Sequence, residues 1–294
     1  MLIHIISKLL SECFLSLYPV FVKNINLPIF VQMWSRFFSY VVISAAFVNY
    51  SYIFKHIFSL HGLALSLITT IHIYTSYRGF QLLESGISYT IFYLYPIMIL
   101  LMSGEQIHPI ILLALIGVYI LSNSETHETS EKENMQNSKA ATAAAATKFE
   151  GIAMILGAAA TEASIFFAVR GLKTENHWNH IFLSYFIGAI LFTALLGSGR
   201  GGGAATTSLY NIFEKRELYI SLGLNAAIGL FGYLLRFYAM SNLSAHIYAP
   251  LSYFGIFMSY VYGVLINGDT ITLSKIIGTI LILIPNVFFL FTKK

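Results

Sequence analysis

Two carboxylates stand in the middle of long apolar runs: Glu12 in LIHIISKLLSECFLSLYPVF and Glu162 in GIAMILGAAATEASIFFAV. An ionised group at the centre of a membrane helix costs at least about 2.5–3.5 kcal/mol, so each acid needs a partner or a task. Lys8, Glu12, Ser16, Pro19 and Lys23 recur at i, i+4, i+8, i+11 and i+15, and on a helix they share one face. A polar stripe of this kind faces a cavity or the interior of a bundle. Glu12 there is able to carry a proton or to bind an ammonium group; the plainer alternative is a Lys8–Glu12 pair that neutralises itself. Glu162 sits among GAAATEAS, where small residues permit close helix packing. Two acids at matched places can meet near an axis between two halves. The plainer alternative for Glu162 is one hydrogen bond to a neighbouring helix.

Other polar groups interrupt the apolar runs. Asn225, Gly229, Gly232 and Arg236 fall at i, i+4, i+7 and i+11, a face where small residues let a backbone or a ligand approach. Arg236 is suited to hold a carboxylate or phosphate, or to snorkel to lipid headgroups. Arg78, near the corresponding end of an earlier run, faces the same choice. Arg36 lies about two turns into its run, which makes a purely interfacial place less comfortable. Tyr89, Tyr93 and Pro96 share one face, and Tyr248 and Pro250 open a later run. Tyrosine offers a pocket an apolar body and a polar tip. With 24 Phe and 19 Tyr in the chain, most must pack or form interfacial belts. His72 and His246 titrate near neutrality, but a lone histidine is more often satisfied by a neighbour. Glu105 and Asp269 read as helix-ending residues in short turns. The sequence lacks H-E-x-x-H, G-x-S-x-G and the phosphate-binding G-x-x-x-x-G-K-[ST]. The single cysteine, Cys13, excludes an internal disulfide and supplies no metal-ligand spacing; its place in an apolar run predicts a buried thiol. No catalytic residue, metal or cofactor is therefore expected.

The elements that carry these residues follow from composition. Hydrophobic residues make up 57% of the chain and charged residues 10%, where a soluble domain carries about 25% charged residues. Such a chain uses lipid as its solvent, and its spans must be helices or a closed barrel. The apolar runs have the ~20-residue length of membrane helices and lack the ~10-residue alternation of barrel strands. The 17 Lys and Arg are scattered, so no nucleic-acid partner is expected. The N-terminus lacks a basic stretch and a small-residue cleavage site, and reads as a retained first helix. Ten spans are predicted, near 2–22, 29–53, 62–80, 85–103, 106–122, 150–171, 180–198, 218–239, 243–267 and 271–291.

The pattern occurs twice. SGISYTIFYLYPIMILLMSGEQIHPIILLALIGVYIL at 85–121 is answered by SAHIYAPLSYFGIFMSYVYGVLINGDTITLSKIIGTILILI at 244–284. Each is a long apolar segment, a break holding one acid, and a second apolar segment with a glycine, Gly117 or Gly278. Residues 1–123 and 150–294 form the halves, and 124–149 a polar, alanine-rich linker. The linker's composition suggests disorder, with the alternative that AATAAAAT extends the sixth helix. An odd number of spans per half gives the halves opposite orientation. The expected fold is an all-α polytopic membrane protein of ten helices in two inverted five-helix repeats, the mark of a secondary transporter.

These segments resemble the drug/metabolite transporter superfamily, in its EamA-type ten-helix branch. There the fourth helix of each repeat reads as small and polar residues, a proline-containing apolar run and a terminal acid, followed by a glycine-bearing fifth helix. The first copy departs in having only nine residues from Pro96 to Glu105. The second lacks a proline near Gly255-Ile256 and ends in Asp269 where glutamate is commoner. The resemblance implies termini in the cytoplasm, although the distribution of Lys and Arg does not favour that side. It implies a secondary transporter, an exporter or exchanger; the mixture of Glu, Arg and Tyr suits a small polar organic metabolite, a zwitterion such as an amino acid or a related compound, with proton exchange at Glu12 or Glu162 as a candidate driving step. The expected setting is the plasma or inner membrane, as a monomer or homodimer. The competing readings are a non-transporting structural or regulatory membrane protein and a membrane-embedded enzyme.

Overall fold

The computed structural model describes residues 1–19, 22, 25, 27–83, 85–104, 109–110, 112–113, 115–117, 119–120, 138–198, 216–267 and 272–291. Lys23, Glu105, Asp269, residues 106–108, 111, 114, 118 and 121–122 of the expected fifth span, and linker residues 124–137 lie outside them. All regular structure among the described residues is helical. The elements are α1 (Leu2–Leu15), α2 (Ile29–Ala45), α3 (Tyr50–His56), α4 (Leu60–Leu82), α5 (Ser85–Phe92), α6 (Tyr95–Ser103), α7 (Ser138–Gly171), α8 (His177–Gly197), α9 (Arg216–Asn242), α10 (Ala245–Ser252), α11 (Phe254–Tyr262) and α12 (Leu273–Phe291), with a π-helical turn at Gly263–Asn267. By length and composition four stretches can cross a membrane: Phe149–Gly171, His177–Gly197, Leu218–Asn242 and Ala245–Ile266. A bent fifth, α3 with α4, can be added.

Capping residues and prolines place the breaks. The expected span 29–53 stops at Ala45, because Asn49 caps a separate α3 by accepting from the Tyr52 amide at 3.2 Å. Ser59 caps α4 in the same way, accepting from Gly62 N–H at 3.1 Å. The two helices meet at 88°. Asparagine and serine satisfy amides that a new helix leaves open, and so start helices inside an apolar run. Pro96 in the first turn of α6 divides the expected span 85–103. It has no N–H to continue α5, and its fixed φ suits a helix start. Gly104 ends α6 at φ 68, a conformation that costs glycine least. Pro250 lies inside α10, and after it the chain changes to i, i+3 bonds from Tyr253 N–H to Pro250 and from Ile256 N–H to Tyr253. The span expected at 243–267 is therefore two short helices and a π turn. Residues 138–149 are helical, so the alanine tract extends α7.

The principal contacts join the beginning of the chain to its end. α1 packs on α9, α2 on α8, α4 on α7 and α8, and α6 on α10. The α1–α9 and α4–α7 pairs are antiparallel. His4 meets Tyr238 while Leu15 meets Gly232; His61 meets Gly171 while Leu83 meets Gly151. The exterior is apolar, with Leu2, Ile3, Phe54, Phe58 and Leu60 among the exposed side chains. The interior holds Lys8, Glu12, Arg36, His72, Glu162 and Arg236. This inverts the usual distribution of a water-soluble protein and fits a chain solvated by lipid. Cys13 is partly exposed, so the expectation of a buried thiol does not hold. It lies beside Glu12 in sequence but off the inward stripe of α1.

Candidate functional site

The inward face of α1 carries Lys8, Ser11, Glu12 and Leu15, all buried. Lys8 and Glu12, one turn apart, form an ion pair with both side chains at 0% exposure. Glu12 Oε2 accepts from the Tyr93 hydroxyl at 2.8 Å. Glu12 Oε1 accepts from Tyr95 at 3.3 Å and from Arg236 at 3.0 Å. The other terminal nitrogen of Arg236 donates to Glu162 Oε1 at 2.6 Å. Arg236 thus holds both acids at once. Glu162 Oε2 lies 3.3 Å from His72 Nε2. Five ionisable groups from α1, α4, α7 and α9 form one chain of contacts, with Lys8 also 3.9 Å from the centroid of the Tyr248 ring.

The histidine end of this chain is sensitive to a single proton. Nδ1 of His72 lies 3.0 Å from the Ala158 carbonyl, which assigns a proton to Nδ1. Nε2 lies 3.2 Å from the Tyr233 hydroxyl. In the neutral ring Nε2 accepts from Tyr233, and Glu162 Oε2 then faces a lone pair. In the imidazolium Nε2 donates, and both the carboxylate and Tyr233 become acceptors.

Close helix approach makes the geometry possible. A Cβ added at Gly229 of α9 would collide with the hydroxyls of Tyr18 and Tyr40, and one at Gly232 would meet Leu15. At Gly255 of α11 it would collide with the Tyr93 hydroxyl and come within 2.6 Å of Glu12 Oε2. The absent side chains leave room for the acid and its tyrosine.

Arg36 forms a second centre on α2. It donates to Tyr77 at 3.2 Å and to Tyr185 at 3.0 Å. Asn225 Nδ2 donates to the same Tyr77 oxygen at 3.3 Å. A narrow cavity of about 20 Å³ is lined in part by Tyr18, Arg36, His72, Tyr77, Tyr233 and Arg236, and so touches both centres. A wider hollow of about 660 Å³ opens at the C-terminal end of α9, lined by residues that include Arg170, Lys173, Glu175, His177, Tyr238 and Asn242. It is the roomier of the two, but the buried charges do not line it.

Of the residues singled out in the sequence, Glu12, Glu162, Arg236, His72 and Tyr93 come together. Asn225 and Arg36 meet through Tyr77. Tyr89 packs on Tyr93, with centroids 5.4 Å apart, and donates to the Leu15 carbonyl. Arg78 stands apart: it pairs with Glu150 at 2.9 Å, the side chains 37% and 44% exposed. It is a surface pair, and the position facing Glu162 on α4 belongs to His72. His246 lies at the start of α10, 3.2 Å from Ser244, outside the charge chain. Lys8 pairs with Glu12 as the plainer sequence reading had it, and it also joins the larger charge chain. Sequence reasoning missed Tyr18, Tyr40, Tyr77, Tyr95, Tyr185 and Tyr233, which carry no local signal among 19 tyrosines.

Comparison with known proteins places this geometry. Residues 149–291 match the model of the EamA-like transporter family. A solved crystal structure of a protein is similar over 99% of this chain and 99% of its own, with TM-score 0.63 and 14% identity, a likeness of fold alone. No curated protein matches by sequence.

Proposed function

We propose, taking the EamA-like second half as support for membership of the drug/metabolite transporter superfamily, that this multi-pass membrane protein is a secondary transporter of a small polar organic metabolite. It works by alternating access around the buried charges. The observation that carries this reading is Arg236, a second-half residue that binds Glu12 of the first half and Glu162 of its own. Charges spanning the junction of two repeats, inside an apolar shell, are what an alternating-access site requires.

The ten-helix inverted-repeat reading, with units at 1–123 and 150–294, has support from the packing. If α1 corresponds to α7 and α4 to α9, a two-fold exchange turns the α1–α9 contact into the α7–α4 contact. The α2–α8 and α6–α10 contacts map onto themselves. All four are principal contacts. The same exchange sets Glu12 opposite Arg236 and Glu162 opposite His72. Proton coupling is supported by the one-proton change of bonding at His72 and Glu162. The reading places the protein in the plasma or inner membrane with cytoplasmic termini, as a monomer or homodimer, with no catalytic, metal or cofactor role. The non-transporting alternative draws on the smallness of the central cavity, about 20 Å³, which we assign instead to an occluded state.

The test is counterflow in liposomes with purified protein, loaded in turn with amino acids, organic acids, amines, nucleotides and sugar phosphates. Saturable counterflow with one class, lost in Arg236→Gln, is expected. Absence of saturable counterflow with every class sinks the transporter reading in favour of the structural alternative.

A further inference from the structure

Arg36 is a buried charge that the network above does not use. It is 2% exposed in the inward face of α2. The rings of Tyr18, Tyr40, Tyr77, Tyr185 and Tyr233 surround it, with centroids 4.6, 5.4, 5.6, 5.7 and 5.0 Å from its Cζ. Ring faces attract a cation, but they carry no net charge to balance it. Among the described residues no carboxylate lies within ion-pair distance of Arg36, whereas Lys8 and Arg236 have Glu12 and Glu162. Among the described residues Arg36 is therefore the buried guanidinium that no carboxylate balances. A lone buried charge is costly unless something pairs with it.

The hydrogen bonds point the same way. Tyr77 and Tyr185 both accept from Arg36, so their own O–H protons are turned elsewhere. The Tyr77 oxygen also accepts from Asn225, which doubles the surplus of donors there. Arg36 Nε is buried and has no hydrogen-bond partner among the described residues. A guanidinium with a spare N–H and two tyrosine hydroxyls whose protons point away from it make a set of donors; the carboxamide oxygen of Asn225 is a buried acceptor on the residue beside Tyr77, itself without a hydrogen-bond partner among the described residues. Arg36 and Tyr77 line the narrow cavity that also reaches Arg236 and His72.

We infer that Arg36, with the hydroxyls of Tyr77 and Tyr185, is the seat of a singly charged anionic group on the transported molecule, in an organic metabolite a carboxylate. This rests on the transporter reading and narrows its substrate class to monoacids and zwitterions. One negative charge balances Arg36, and a dianion overshoots it. The about 20 Å³ cavity holds roughly one water, so the anion enters only when the helices around Arg36 separate. α2 and α8, which supply Arg36 and Tyr185, pack directly on each other across the two halves. An anion bridging these two side chains thus ties one half to the other.

The experiment measures melting temperature of the detergent-purified protein with L-amino acids and short monocarboxylates. Their methyl esters and decarboxylated amines serve as uncharged or cationic counterparts, and succinate as a dianion. Monoacids are expected to raise the melting temperature, and esters, amines and succinate to leave it unchanged. Arg36→Gln should abolish the response to acids while leaving the melting temperature of the ligand-free protein unchanged or higher, since the unbalanced charge is gone. Tyr185→Phe and Tyr77→Phe keep the rings and remove only the hydroxyls. Each should weaken acid binding about 10-fold or more, and these two variants decide the matter if Arg36→Gln does not fold. Esters acting like acids, no response to any acid, an acid response that survives Arg36→Gln, or unaltered acid affinity in both phenylalanine variants overturns the anion seat. Saturable counterflow of an amine that persists in Arg36→Gln would overturn the seat and leave the transporter reading standing.

Discussion

Arg236 decides the energetics at the scale of single residues. Removing one partner of a buried ion pair leaves an uncompensated charge and costs about 3–5 kcal/mol. Arg236→Gln exposes Glu162 to that cost, because His72 is its other charged neighbour only when protonated. We expect a loss of that size in denaturant unfolding. Arg236→Lys should recover only part of it, since an ammonium cannot present the two-pronged fork that reaches Glu12 and Glu162 together. Glu12→Gln keeps the bond to Tyr93 but leaves Lys8 without its carboxylate, so it should destabilise by a similar amount; the folded variant should lose coupled transport, and unchanged transport with unchanged pH dependence would make Glu12 structural. His72→Gln should flatten the pH dependence of counterflow, because it removes the ring whose protonation rearranges the bonds to Glu162 and Tyr233. The acids were legible in the sequence because an ionisable group in an apolar run is conspicuous by its cost. The tyrosines around Arg36 were not. Tyr18, Tyr40, Tyr77, Tyr185 and Tyr233 come from separate stretches of the chain, and only packing makes them neighbours.

At the scale of elements, α9 carries its own control. Gly229 and Gly223 lie on the same helix, but a Cβ at the first collides with two tyrosine hydroxyls and one at the second meets nothing within 4 Å. Gly229→Ala should therefore destabilise by about 1–3 kcal/mol through overpacking. Gly223→Ala should be neutral or stabilise by up to about 1 kcal/mol through helix propensity. Equal melting temperatures for the two variants would show that Tyr18 and Tyr40 do not press on α9 at Gly229. Helix positions were largely legible from hydropathy, which sees long apolar runs. Their breaks were less so, because hydropathy averages over the residues that cause them. Asn49 and Ser59 each end a run with one side-chain hydrogen bond. Pro250 breaks the second copy five residues before the place where a proline was sought.

For the whole molecule, the arrangement of connections fixes a pattern of sides. Asn176 donates to the Phe47 carbonyl at 2.7 Å, and Asn179 accepts from the Asn49 amide at 2.9 Å. Arg170 donates to the Leu243 carbonyl at 3.0 Å, and His4 stacks near Tyr238. The N-terminus, the α2–α3 and α7–α8 connections and the end of α9 thus gather at one end. Gly197, the last residue of α8, lies at the opposite end of that helix from Asn176. In inverted repeats the α2–α3 and α7–α8 connections must lie on one side of the membrane, although they belong to different halves. Phe58 and Glu175 are exposed at that end, and Ser198 is exposed at the other. In a Cys13→Ser background, Phe58→Cys and Glu175→Cys should react with an impermeant maleimide from the same side, and Ser198→Cys from the opposite side. Phe58 and Glu175 labelling from opposite sides would break the five-plus-five parity, and with it the two-fold exchange that pairs Glu12–Arg236 with Glu162–His72. Basic residues could not settle this in the sequence, because they lie on both sides in similar number. The contact between two connections about 130 residues apart supplies the constraint that charge counting lacks.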